Sequence, residues 1–252
     1  MNLAEALRPF GPSLIAFVGA GGKTSALFGL ARDLRDQGEA VLATTTTHLL
    51  DPRAEAARPA GEVLFRPEME GPSTGGPVPA GRPGLTILFA RETDPPGKVK
   101  GIDPSWLPAL KRNWPYVLVE ADGSRRLPVK APGPAEPVLP PDPDLVVGVV
   151  GLDCLGRPMD ESTVHRPDCF QRVTGCAPGA PITWAHLEAL VRHPEGLFRG
   201  ATGSRAVLLN KADLAPFRPS REQLAALEAD LVLLCALGTA EGVIVGVRGG
   251  RP

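Results

Sequence analysis

The sequence predicts a three-layer α/β fold with a mostly parallel sheet, and three observations carry that prediction. Short apolar runs bounded by Gly or Pro recur along the chain, helical repeats stand between several of them, and a glycine cluster sits where the first run would hand over to a helix. With 252 residues and 43% hydrophobic content, the chain can bury one core, so a single domain over 1–252 is expected. The balance of 27 basic and 28 acidic side chains leaves no excess of cations to neutralise phosphates along a duplex, so no nucleic-acid partner is expected. Residues 1–10 include Glu5 and no long apolar stretch, and no run approaches the roughly 20 apolar residues of a membrane span. The expectation is a cytoplasmic protein with no membrane contact.

The elements follow in order. Residues 14–18 (LIAFV) form a continuous apolar run between Pro12 and Gly19-Ala20-Gly21-Gly22, which suits a strand buried on both faces. From 23 to 36, Leu27, Leu30, Ala31 and Leu34 repeat at helical spacing and Gly38 supplies the stop. A second strand, 40–43, runs into Thr44, Thr45, Thr46, Thr47 and His48. Between 52 and 104, 18 of 53 residues are Gly or Pro, which reads as an irregular insertion around one strand candidate at 85–89. Further strands are expected at 116–119, 145–150, 206–209 and, last, 231–234. Helices are expected at 184–191 after Thr183, and at 221–229 after a Ser220/Gln223 capping box. Ligands of such a sheet bind at the C-terminal ends of its strands.

The residues that could do chemistry stand at those ends. Gly19, Ala20, Gly21, Gly22, Lys23, Thr24 and Ser25 join the first strand to the first helix. Glycines let backbone N–H groups face one point, and the helix N-terminus adds partial positive charge there, so this is a phosphate loop. Lys23 would reach the phosphates of a nucleoside triphosphate and the Thr24 hydroxyl would ligate Mg²⁺, giving a P-loop NTPase-like fold. Counting back from Gly22 puts Phe17 where the usual first glycine stands, so the loop is two residues short and has the G-x-x-G-K-S/T form of Mur-type amino-acid ligases. A dinucleotide site fails on Thr24 at the third glycine position and on a second strand that ends in threonines rather than an acid.

The run at 116–119 delivers Glu120 and Asp122, on the same side of the strand line, as carboxylates that hold Mg²⁺ through water or position an attacking water. Lys23, Glu120 and Asp122 are therefore the catalytic candidates, and Thr24 with Asp122 the metal candidates. Arg125, Arg126 and Lys130 follow as cations for transition-state charge or an anionic substrate. The chain has 21 Arg but only six Lys, which favours a task for individual lysines that Arg cannot do. Asn210-Lys211-Ala212-Asp213 closes the strand at 206–209 with the N-K-x-D guanine motif. There Asp213 would accept from N1–H and the amine of guanine, Lys211 would cover the base and Asn210 would brace the loop, placing GTP ahead of ATP. His48 is a candidate base, His165 has no visible partner, and His186 and His193 read as structural. Cys154, Cys169, Cys176 and Cys235 lack C-x-x-C spacing; with His165 the first three match no closed zinc site.

With these residues in place, the chain resembles the selenium-dependent hydroxylase accessory protein family, also called selenium cofactor biosynthesis protein YqeC. The resemblance lies in VGAGGKTS (18–25), ATTTTHL (43–49), VLVEADGSRRLPVKAP (117–132), VVGVVGLDCLGRP (146–158), VHRP (164–167) and LLNKADL (208–214). It implies a nucleotide-binding accessory protein in maturation of selenium-dependent molybdenum hydroxylases, with a hydroxylase or its maturation proteins as partner. The general arrangement is also similar to metallocentre-insertion GTPases, from which the short loop departs. A ligase or kinase activating a small anionic substrate is the alternative.

Overall fold

The computed structural model describes residues 1–54, 61–239 and 242–248. The first half of the chain runs α1 (Leu3–Leu7), β1 (Leu14–Gly19), α2 (Lys23–Asp36), β2 (Ala40–Thr45), β3 (His48–Leu50), β4 (Glu62–Phe65), β5 (Gly84–Phe89), β6 (Arg91–Glu92), β7 (Lys98–Lys100), α3 (Leu107–Asn113) and β8 (Tyr116–Glu120). The second half adds β9 (Val129–Lys130), β10 (Leu145–Gly151), β11 (Val164–His165), α4 (Pro167–Thr174), α5 (Trp184–Arg192), β12 (Ser204–Asn210), α6 (Arg221–Ala225), β13 (Leu231–Ala236) and β14 (Gly242–Arg248). Nine strands make the main sheet in the order β14-β13-β12-β10-β1-β8-β2-β5-β4, and only β14 is antiparallel to its neighbour.

Alternation along β1 divides the core into the two faces of this sheet. Ile15 and Phe17 pack with Leu27, Leu30 and Leu34 of α2 and with Leu3 and Leu7 of α1. Ala16 and Val18 face the opposite layer, where Phe170 of α4, Leu187 and Leu190 of α5 and Leu224 of α6 cover β10, β12 and β13. Leu14, with Val117 and Val119 of β8, packs on that same side against Trp106, Leu107 and Leu110. The result is a three-layer α/β arrangement, and three residues separate the end of β1 from the start of α2. Among the described residues no helix is long and apolar enough to cross a membrane.

The structure corrects several expectations. Segment 52–104 is not irregular throughout: β4 and β5 pair in the main sheet, and β6 and β7 join β3 in a small antiparallel sheet. Its Gly/Pro density is concentrated in the connections, chiefly 71–83, where no strand or helix forms. Strand 231–234 is not the last, since β14 returns along it with a register shift between Leu234 and Cys235. The helix expected over 221–229 stops at Ala225, because Asp230 turns back to accept the Arg205 N–H at 2.7 Å. The capping box itself is present, Ser220 accepting from Gln223 N and Gln223 from Ser220 N.

Candidate functional site

The turn from β1 to α2 is built from glycines because nothing larger fits. Gly21 and Gly22 have φ of +85° and +132°, a region that L side chains rarely adopt. A Cβ on Gly21 would stand 2.1 Å from Gly151 N, and one on Gly22 would stand 2.3 Å from the Asn210 amide nitrogen. The loop is thus wedged between the ends of β10 and β12. Its own N–H groups are partly engaged: Gly19 N donates to Asp122 Oδ2 (3.1 Å), Ala20 N to Val149 O (2.9 Å) and Gly21 N to Leu127 O (3.0 Å). These three contacts fix the shape of the loop. The donors without intrahelical partners are those of the first turn of α2, from Gly22 to Ser25, and no side chain caps this helix among the described residues.

Lys23 opens α2 and is 3% exposed. Its Nζ donates to Gly19 O (2.6 Å) and Ser124 Oγ (3.2 Å), and lies 3.2 Å from Asp122 Oδ1 and 3.8 Å from Glu120 Oε1. Both carboxylates of the E-A-D triplet do face the lysine, as alternation predicts. Of the two metal candidates, Thr24 donates its Oγ1 to Glu120 Oε2 at 2.8 Å. Asp122 is occupied elsewhere, its Oδ2 lying 3.1 Å from Lys130 Nζ. The physical reason is the loop that follows: it turns back over Gly21 and carries Lys130 under Asp122 on β9.

Lys130 is 1% exposed, so its charge needs several acceptors. It donates to Gly123 O (2.7 Å) and Glu136 Oε2 (2.8 Å) besides meeting Asp122. Glu136 in turn takes a two-point contact from Arg166, Nε to Oε2 at 3.0 Å and Nη2 to Oε1 at 3.1 Å. Burial would raise the Glu136 carboxyl, but hydrogen bonds from Arg166 and Lys130 win and hold it down at about 2. His165 pairs through its backbone with Lys130; burial and the charges of Lys130 and Arg166 push its imidazole down to about 4. The chain of contacts Arg166–Glu136–Lys130–Asp122–Lys23–Glu120–Thr24 alternates in charge from the surface to the glycine loop.

On the other side of the loop, Asn210 Nδ2 donates to Gly21 O (2.9 Å) and its Oδ1 accepts from Leu237 N (3.1 Å). Lys211, with φ of +59°, reaches Asp153 Oδ2 at 2.7 Å. Asp213 is exposed. Ala212 N donates to Cys235 O (3.0 Å), which ties the motif to the end of β13.

Other expectations divide. Thr45 serves the site, its hydroxyl donating to Glu120 O at 2.7 Å, whereas Thr44 and Thr46 donate to Leu88 O and Val138 O. His48 is exposed on β3 opposite Lys100 and is not brought to the carboxylates. Arg125 and Arg126 are exposed, both at positive φ, on the loop whose Leu127 takes the Gly21 N–H. His186 closes the cap of α5 with Thr183, and His193 accepts from Glu195 N. All four cysteines are free thiols, with burial pushing Cys154 and Cys235 up to about 12. Glu136, Asp153 and Ser124 were not legible as partners; only their nearness in sequence to Lys130 and to the strand ends marks them.

The hard oxygens at Thr24 and Glu120 suit Mg²⁺, which takes one or two carboxylates and completes its shell with water and phosphate. No group of three or more His, Cys, Asp or Glu among the described residues could hold a metal ion.

A family model described as YqeC protein matches residues 15–168, a span that contains the glycine loop, both carboxylates, Lys130, Glu136 and Arg166 but not the N-K-x-D motif. Among curated proteins, the chain is 38% identical over 190 residues to "Uncharacterized protein YqeC" of Escherichia coli (strain K12), which covers 75% of this chain and 71% of that protein. No solved structure matches the chain.

Proposed function

The chain belongs to the YqeC protein family, and on the geometry of its glycine loop we propose that it binds a nucleoside triphosphate with Mg²⁺, GTP ahead of ATP, and hydrolyses it. The observation that carries this reading is Lys23, an ammonium group held between two carboxylates at the start of an uncapped helix. Free N–H groups and the helix dipole favour an anion at that end. A phosphate arriving there offers Lys23 a new acceptor, and Glu120, released from the lysine, is left with Thr24 to hold the metal. When bound, Mg²⁺ supplies positive charge against the charge on the phosphate oxygens. Lys130 remains beside Asp122, and either carboxylate can orient the attacking water.

Following the resemblance to the accessory-protein family, we read the hydrolysis as driving maturation of selenium-dependent molybdenum hydroxylases or synthesis of their selenium cofactor, in the cytoplasm. The partner would be the hydroxylase or one of its maturation proteins. A second reading, a ligase or kinase acting on a small anionic substrate, is favoured by Arg125 and Arg126 standing exposed beside the loop. The experiment is phosphate release from GTP and ATP with Mg²⁺, alone and with a candidate partner or anionic acceptor. Slow release accelerated by a protein partner supports the first reading, and release dependent on a small molecule supports the second. If neither GTP nor ATP binds, both readings are contradicted.

A further inference from the structure

Asp153 stands where the two halves of the nucleotide reading meet. β10 lies between β1, which carries the glycine loop, and β12, which carries Asn210 and Lys211. Two residues beyond its end, Asp153 places Oδ2 2.7 Å from Lys211 Nζ. Its other oxygen, Oδ1, is buried and has no hydrogen-bond partner among the described residues. The charge of this carboxylate is therefore answered by Lys211, and moving the lysine away would leave a part-buried anion unpaired. Lys211 is restrained from its other end too, since its backbone is left-handed and the residues beside it are tied to Gly21 and Cys235.

We propose that Asp153 is a positioning residue for the nucleoside base, fixing the Lys211 side chain across the end of β10 so that its methylene stem forms one wall of the base pocket. This rests on the nucleotide reading above. The ion pair sets the direction of a long side chain that would otherwise sample many rotamers, so the ordering cost of the wall is met before ligand arrives. Asp153 lies in the 146–158 segment that carries the family resemblance, but no chemical motif assigns it a partner, and only the fold brings it to Lys211.

The test compares GDP with inorganic pyrophosphate, the second probe having phosphates but no base, on the full chain and on Asp153→Asn, Lys211→Met and the double variant. Asp153→Asn is expected to weaken GDP binding about five- to tenfold and leave pyrophosphate unchanged. In the Lys211→Met background, Asp153→Asn should weaken GDP no further, because the carboxylate acts through the lysine. Unchanged GDP affinity in Asp153→Asn overturns the proposal, and so does an equal loss for GDP and pyrophosphate, which would mark a purely structural pair. If the unmodified chain binds pyrophosphate and GDP equally well, the base reading fails and Asp153 with it, while the phosphate loop stands. If it binds neither, the phosphate loop itself is refuted.

Discussion

Thr24 donates its hydroxyl to Glu120 Oε2 at 2.8 Å, across the gap between the first turn of α2 and the end of β8. That contact gives the two carboxylates of the E-A-D triplet different work. Glu120 is turned to the hydroxyl beside which a metal would sit, whereas Asp122 is enclosed by Lys23, Lys130 and the Gly19 N–H.

Substitution should separate these roles. Glu120→Gln is expected to reduce Mg²⁺-dependent hydrolysis at least tenfold while changing nucleotide affinity without metal by less than about threefold. Asp122→Ala leaves two buried ammonium groups without their shared anion and should lower stability by about 3 kcal/mol in urea unfolding. If Asp122→Ala is stable and Glu120→Gln hydrolyses normally, the division of labour is reversed.

The acid limb of stability should have two parts. His165 has a folded value near 4 against 6.5, so the stability it contributes is complete above 6.5 and is lost as pH falls towards 4. Glu136, held at about 2 against 4.5, contributes stability that is complete above 4.5 and is lost as pH falls towards 2. Urea midpoints measured against pH should therefore decline in both windows, and Glu136→Gln should flatten the lower one, while removing a charge that raises His165 and so leaving the upper decline in place. A Glu136→Gln curve parallel to that of the unmodified chain throughout would refute the ion-pair account of Glu136.

On the proposed guanine reading, selectivity would reside in Asp213, which is exposed at the end of the N-K-x-D motif. Asp213→Asn replaces one acceptor oxygen with an NH₂ donor, so guanine would meet a donor with a donor, at a cost of roughly 1 to 3 kcal/mol. Xanthine has a carbonyl at that position, and the variant should gain affinity for xanthosine triphosphate. Competition among GTP, ATP and XTP measures this. Wild-type preference for ATP, with all three nucleotides bound unchanged by the variant, would make the motif a surface turn.

Much of this arrangement was legible because its signals are local. Periodicity and the glycines that end β1 and α2 locate the loop, and Ser220, Gln223 and Thr183 announce their caps within four residues. What remained hidden depends on contacts far apart in sequence. Glu136 reaches Arg166 and Asp153 reaches Lys211, 30 and 58 residues away, and such pairings are set by strand order, not by composition. The meeting of Lys130 with Asp122 was hidden for the same reason, since the loop after Asp122 carries the lysine back beneath it. Strands β4 and β14 escaped notice because one stands in a Gly/Pro-rich segment and the other follows the last expected strand through a Gly-containing turn.

On the proposed reading, Lys23 exchanges its carboxylate partners for phosphate. The most direct test of this exchange is calorimetric titration of Mg²⁺ with GTP and with ATP into the unmodified chain and Lys23→Ala, with far-ultraviolet circular dichroism on the same samples. Removing a charge-assisted contact should cost about 1.5 to 3 kcal/mol, a loss of roughly ten- to a hundredfold in affinity. A folded Lys23→Ala protein that binds the preferred nucleotide as tightly as the unmodified chain would contradict the account.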